Sequence, residues 1–361
     1  PVNSATETEI AFDGRRLDHL CSNSYLGLSG HPQLRASMAE FVRTADSLGP
    51  HGSPELNSHT ETHQRLADGL RSLLSCEAVT LYSSAYLANL SALPTIAGPG
   101  DALFIDEHCH RSLLDGAVLS GAAFDVFRHN DADHLLALIS TSGVRGQRVI
   151  VTEGVFSGHG DVADLPALVA CARSTDAVLY VDEASSVGQL GAGRGLEAHY
   201  SMPATIDVRV GSLGKALVGG GGFVAASATF AARLRRRGTF STALSPLAAH
   251  IAADAVELLI SAGPELTDQL NHNRTVWTQA LTRAGFDIGT STTAIVPLLV
   301  PVDPARAFHA ALDAGVFALP LAGTWGAGRG LRTTVTAAHD PAQLTDIAAR
   351  LGRILAAAAA N

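Results

Sequence analysis

From Ala78 to Lys215, short apolar runs alternate with helical stretches, and this alternation limits the possible folds more tightly than any other property of the chain. The runs are AVTLYSS, DALFID, AFDVFRH, QRVIVTEGV, AVLYVDEA and VRVGSLGK. Between them the sequence reads as helix at SLLDGAVLSG, DADHLLALIST and LPALVACARST. Apolar runs this short suit buried strands, and strands that recur with intervening helices form a largely parallel sheet covered on both faces. The class is therefore α/β. In such sheets the ligand sits at the C-terminal ends of the strands, so the polar residues that close each run are the candidate site.

The flanks read differently. Residues 1–36 are mixed, with a possible strand at EIAFDGRRLDHL before the turn-rich SNSYLGLSGHPQL, and a helix is expected from Leu34 to Arg43. The loop SLGPHGSPELNSHTETH is too polar and too long for a plain connection, which points to function. After FSTALSPLAAH comes a long helical segment, then strands such as AIVPLLV and GLRTTVT and an Ala-rich closing helix, the pattern of a separate α+β domain. The expected division is an N-terminal segment 1–36, a large domain 37–247 and a small C-terminal domain 248–361.

Composition excludes several classes. With 361 residues, 47% hydrophobic and 16% charged, the chain is too apolar for disorder, and some of its surface is expected to be buried between subunits. A net charge of −9 gives no basic footprint for nucleic acid. No apolar run is expected to reach membrane-spanning length, and the first residues lack a secretory pattern. Four cysteines, Cys21, Cys76, Cys109 and Cys171, are scattered without a CxxC pair, as expected in a reducing cytoplasm.

Chemistry concentrates in the stretch from Ala177 to Gly222. One run ends in Asp182; the next ends in a small-residue turn that presents Lys215 before four glycines. Pyridoxal 5′-phosphate (PLP) needs a lysine for its Schiff base and a carboxylate beside its pyridine nitrogen. The alternative is an ordinary core in which Asp182 caps a loop and Lys215 is solvated. Ser84, Ala85 and Tyr86 stand at a helix start, where free amides and the positive dipole end suit a phosphate; Ser84 as a plain N-cap is the competing reading. His108, Cys109 and His110 follow a strand, but an H-x-H without a second ligand cluster argues against metal and for one histidine stacked on an aromatic ring. Ser157 and Asp161 lie near the mouth of the sheet, and Ser212 could reach the same phosphate as the helix start. Ser241 and Thr242 follow the glycines. Arg332 could clamp a carboxylate by a bidentate pair or serve as a surface ion-pair partner.

Taken together, SNSYLGL, GPHGSPELNSHTETHQRL, LYSSAYLANL, IDEHCHRSLLDG, TEGVFSGHGD, VDEASSVGQLGAGRG, GSLGKALVGGGG, FSTALSP and LRTTVTAAHD resemble, in that order and over nearly the whole chain, the α-oxoamine synthases, a branch of the fold-type-I PLP enzymes. The resemblance implies an aspartate-aminotransferase-like fold, with a large, mainly parallel seven-stranded sheet domain and a smaller α+β domain. It implies that Lys215 binds PLP covalently, that Asp182 pairs with the pyridine nitrogen and that His110 stacks on the ring. Ser84, Ala85, Tyr86 and Ser212 would hold the phosphate, with Ser157 also near the cofactor. Ser241 and Thr242 would reach the phosphate of a neighbouring subunit, which implies a homodimer with shared active sites. Arg332, Asn23 and Ser53 would face the substrate. The implied reaction joins a small amino acid to an acyl thioester, of coenzyme A or an acyl-carrier protein, and releases CO2 to leave an α-amino ketone.

The chain departs from the family on the substrate side. Ser185 stands in DEASS where the family usually has the histidine of DEAHS, and a serine is shorter and cannot carry charge. Pro54 follows Ser53, and Ser58 replaces a glycine in the polar loop; FSGHGD and GTWGAGRGLR also differ from the usual patterns. The N-terminal helical stretch common in the family is missing or very short. These departures keep a second reaction open on the same cofactor: lyase, aldolase, racemase or aminotransferase. A non-catalytic partner subunit is a third reading, which the presence of Lys215 disfavours.

Overall fold

The computed structural model describes residues 2–238, 241–321 and 330–360. Phe240 of FSTALSP and most of GTWGAGRGLR lie outside the described residues. Two compact units emerge. One comprises the described residues of 1–31, 155–162 and 264–361, and the other those of 32–154 and 163–263.

The first unit opens with the antiparallel strands β1 (Val2–Ala5), β2 (Glu9–Phe12) and β3 (Arg15–His19). The single strand expected over EIAFDGRRLDHL is thus two. Asp13 and Gly14 take φ of 49° and 75° and close a tight hairpin, the conformation that Asp-Gly favours between strands.

The second unit carries the seven-stranded sheet. Its strands are β4 (Ala78–Tyr82), β5 (Ala102–Asp106), β6 (Ala123–Phe127), β7 (Arg148–Glu153), β8 (Val178–Asp182), β9 (Val208–Ser212) and β10 (Gly222–Ala226), in the order β4-β10-β9-β8-β7-β5-β6. Strands β6, β5, β7, β8 and β9 run parallel, whereas β10 is antiparallel to both β9 and β4. Because β10 reverses between two strands of the same sense, β4, β5, β7, β8 and β9 all end on one edge. Register places Asp182 beside Glu153, and Ser212 and Tyr82 on either side of Gly222. The helix Ala85–Ile96 lays Ala88, Ala92 and Leu93 in the same buried cluster as Tyr180, Val208, Val210 and Val224. Small alanines let the helix approach the sheet closely, and β5, β7, β8 and β9 are buried along most of their length.

One helix of the chain, Pro246–Arg283, is long and apolar enough, by length and composition alone, to cross a bilayer. The sequence contains no uninterrupted apolar run of that length because acidic residues punctuate this one. Asp254 and Glu257 pair with Arg65, while Ala249, Ala252, Ala253, Val256 and Leu259 are buried. Ala262 leaves helical geometry (φ −132°, ψ 21°), and Pro264 follows it. Burial of one stripe and ion pairing of another is the pattern of a core helix.

The first unit is completed by β11 (Ile295–Leu299), β12 (Val316–Phe317), β13 (Leu319–Pro320) and β14 (Gly330–Thr334). Strand β12 joins β3 in parallel, and β11-β14-β13 form a separate antiparallel sheet. Behind β14 lies His339, whose Nδ1 accepts the Thr336 amide at 3.0 Å and whose Nε2 lies 3.2 Å from the His19 carbonyl. Burial pushes His339 down to about 4. An unfolded histidine takes up its proton near 6.5, so the unfolded state binds the extra proton between those values. The stabilisation is complete above pH 6.5 and is lost as pH falls towards 4, by about 3 kcal/mol if this group acts alone. Urea midpoints at pH 7 and pH 4.5 are expected to differ more in the wild type than in His339→Asn. Equal pH sensitivity in the two proteins would remove His339 as the cause.

Candidate active site

The site is built where the parallel strands end. After β8, Asp182 is 5% exposed, and its Oδ1 accepts the Ala184 amide at 2.8 Å. Its Oδ2 accepts the side-chain amide of Asn89 at 2.7 Å. After β9, the chain closes a hydrogen-bonded loop: Gly219 N–H donates to the Leu213 carbonyl and Leu213 N–H to the Gly221 carbonyl. Lys215 projects from that loop, and its Nζ donates to Ser185 Oγ at 2.8 Å. Gly220 and Gly221 take φ of 70° and 101°, and the β-branched Val218 takes 48°, a conformation such residues rarely adopt. Ser212 Oγ accepts the Gly214 amide at the foot of the loop.

After β5, His110 caps the helix Arg111–Ser120. Its Nδ1 accepts from the Ser112 amide at 3.2 Å and lies 2.8 Å from Ser112 Oγ. Burial holds His110 below the usual imidazole range; the Lys215 ammonium pushes the same way, while Asp182 and Asp115 pull upwards. Asp182 is joined to His110 through Asn89 and the Ser112 hydroxyl, and Asp182 and Lys215 both act electrostatically on the imidazole. Tyr86 stands edge-on to His110, ring centroids 6.2 Å apart, and donates its hydroxyl to Asp115, which also holds Arg111. Cys109 is not part of this chemistry: burial, together with Asp106, Glu153 and Asp182, pushes its thiol well up. His108 stacks on His129 at 4.1 Å instead.

After β4, Ser84 caps the helix Ala85–Ile96, its Oγ accepting the Leu87 amide at 3.0 Å. The two readings of this serine are therefore compatible. The cap leaves the Ala85 and Tyr86 amides at the helix start without intrahelical acceptors. Gly222 passes so close that a Cβ there would come 2.4 Å from the Ala85 nitrogen. Only glycine lets β10 run beneath this helix start.

The other expected residues lie elsewhere. Ser241 and Thr242 line a cavity of about 420 Å³ with His59, His63, Tyr82 and Ser83. That cavity contains none of Lys215, Asp182 and His110, so the chemistry, not the cavity, locates the active site. Ser53 is buried, its Oγ without a hydrogen-bond partner, and its carbonyl accepts the amides of Leu56, Asn57 and Ser58. In the first unit, Arg332 on β14 is 4% exposed, and its Nε donates to the Ser157 carbonyl at 2.5 Å. Arg332 is thus no surface ion-pair residue. Ser157 lies in a tight turn in which Phe156 N–H bonds the Asp161 carbonyl, and Asn23 is exposed in the turn before Tyr25.

Four buried residues that sequence reasoning did not single out support this site. Asn89, fully buried, bridges Asp182 and Ser112 and accepts from Tyr180 Oη at 2.7 Å. Glu183, next to Asp182, is held by Arg209 at 2.8 Å, and Arg209 also binds Glu197. A lone asparagine in the apolar helix YLANLSALPTI and a lone arginine inside the strand VRVG were the available signals.

The donor set suits PLP. It offers an amine for a carbonyl carbon, a buried carboxylate for a pyridine N–H, an imidazole to lie against a ring and orphan amides for a phosphate.

Comparison with known proteins agrees. Residues 18–351 match the family described as aminotransferase class I and II. The 8-amino-7-oxononanoate synthase of Geobacter sulfurreducens is 38% identical over 98% of this chain and 92% of its own. A serine palmitoyltransferase from Sphingobacterium spiritivorum is 34% identical over 83% of this chain and 76% of its own. A solved serine palmitoyltransferase with bound PLP and myriocin, from S. paucimobilis, superposes with TM-score 0.92 at 28% identity. It covers all of this chain and 94% of its own.

Proposed function

Because the chain belongs to the class I and II aminotransferase family, and within it to the α-oxoamine synthases, we propose that it is a PLP-dependent acyltransferase that joins a small amino acid to an acyl thioester with loss of CO2. The convergence of Lys215, Asp182 and His110 at the strand ends carries this reading.

Bound PLP supplies an electron sink that makes the α-proton of an attached amino acid removable. Lys215 would hold its aldehyde carbon, Asp182 its pyridine N–H, and the Ala85 and Tyr86 amides its phosphate, while His110 covers the ring. The chain's own work is then positional and protic. With PLP bound, Lys215 would be the amine placed to carry the proton from the α-carbon. Ser185 receives an N–H of Lys215 in the free protein and so sets where that amine rests. A hydroxyl there gives and takes a hydrogen bond without bringing a charge. The overall reaction balances as amino acid, acyl thioester and one proton giving α-amino ketone, CO2 and free thiol.

The same reading includes a homodimer in which Ser241 and Thr242 complete the partner's phosphate site; within one chain these two residues line a cavity that Lys215 does not share. Glycine, alanine and serine are the amino acids to try, each with an acyl-coenzyme A and an acyl-carrier-protein thioester. Equal release of thiol and CO2, dependent on both substrates, is the expected result. Product formation without any thioester would instead favour the lyase, racemase or aminotransferase reading.

A further inference from the structure

The hydrogen bonds behind Asp182 run in one direction only. A carboxylate oxygen accepts, so the group of Asn89 lying 2.7 Å from Asp182 Oδ2 is its NH2. That fixes the amide: its oxygen faces Tyr180, whose hydroxyl donates at 2.7 Å, and its second N–H reaches Ser112 Oγ at 2.9 Å. Ser112 Oγ thereby accepts one hydrogen bond and keeps its own O–H to donate. His110 Nδ1 lies 2.8 Å away, and it already accepts the Ser112 backbone N–H. Two donors aimed at one ring nitrogen leave no room for a proton on it. Asn89, Tyr180 and Ser112 are all buried, so water does not offer substitute partners.

We infer that Asn89 is a positioning residue that fixes His110 as the Nε2–H tautomer and, through the same amide, fixes the plane of the Asp182 carboxylate. One side chain thus sets both the group that would meet the pyridine nitrogen and the ring that would cover the cofactor; only this last consequence rests on the PLP reading. The arrangement lies within the free protein. The charged groups around His110 are Asp182 and Lys215 from the strand ends and Asp115 from its own helix. Glu153 takes its backbone N–H, and Tyr86 stands edge-on to the ring. None of these donates to Nδ1, so the directional constraint comes from Ser112 and, behind it, Asn89.

The test is the ring-nitrogen spectrum of His110 in the full-length protein labelled with ¹⁵N-histidine, recorded from pH 6 to 8.5 with and without PLP. Loss of one signal in His110→Gln assigns it. The wild type is expected to show an unprotonated Nδ1 and a protonated Nε2 throughout. In Asn89→Ala the Ser112 hydroxyl is free to turn and accept, so Nδ1 protonation is expected to appear and the titration to move up by about one pH unit. In Ser112→Ala the shift is expected to be smaller, because no hydroxyl is left there to accept from Nδ1. A structural role alone would lower the melting temperature and leave the His110 signals in place. The inference is overturned if the wild-type Nδ1 carries the proton, or if folded Asn89→Ala keeps the wild-type tautomer and titration. Should Asn89→Ala not fold, unchanged His110 signals in Ser112→Ala overturn it equally. A protein that shows the expected tautomer yet takes up no PLP would sink the proposed function and leave this inference standing.

Discussion

Lys215→Ala is expected to lower turnover by about 10⁴-fold or more without disturbing the fold, since it removes both the covalent attachment and the proton carrier. The loop that presents the lysine is closed by backbone bonds among Leu213, Gly219 and Gly221, with Val218 N–H on the Lys215 carbonyl, and none of these uses the side chain. Among the described residues the amine makes one hydrogen bond, to Ser185, which truncation removes at little cost. Lys215→Arg sharpens the result. It keeps the positive charge but offers a guanidinium that cannot give up its proton, so it is expected to fail almost as completely. Thiol release measured beside circular dichroism separates chemistry from folding. Activity within tenfold of the wild type in either variant would remove Lys215 from the mechanism.

The largest effect on stability is expected from Arg209→Met. Arg209 is a single buried cation serving two buried carboxylates, Glu183 at 2.8 Å and Glu197 at 3.1 Å, and it also binds the carbonyls of Leu74 and Arg194. The carboxylates are in turn committed: Glu197 Oε1 accepts the Thr205 and Ile206 amides, and Glu183 accepts Leu196 N–H and the Ser186 hydroxyl. Removing the cation strands both charges in the interior, at a cost of about 3–5 kcal/mol. Urea midpoints at pH 7 measure it. Adding Glu183→Gln and Glu197→Gln to the same protein should restore part of the loss, because the uncompensated charge is then gone. A loss below about 1 kcal/mol for Arg209→Met alone would mean that water reaches the cluster.

Much of the architecture was legible because the signals were local. Each strand from β4 to β9 is a short apolar run bounded by polar residues, and each helix between them carries a cap or a break. The reversal of β10 was not legible: GGGG followed by FVAA fits a parallel or an antiparallel strand equally well, and only pairing with both β9 and β4 decides. Within the candidate site, Asp182 and Lys215 stood out in the sequence because the chemistry they offer is specific and each follows an apolar run. His110 could be placed only with the family pattern. Asn89 and Arg209 were passed over because a single polar residue in an apolar element gives no hint of what it faces. Their partners, Asp182 and Glu183, are distant in sequence and come together only through the sheet. The N-terminal strands posed the same problem: nothing local in RRLDH shows that Val316–Phe317 will pair with it.

The neighbouring carboxylates Asp182 and Glu183 answer to different masters. Asp182 is steadied by Asn89 and the Ala184 amide, whereas Glu183 fastens the following loop to Arg209 and the Leu196 amide. The stretch between those anchors includes Ser185, which accepts an N–H of Lys215. Exchange at that one position leaves every one of these anchoring bonds intact. The consequence is independence: the residue that greets the lysine can be exchanged without rebuilding the scaffold that carries it.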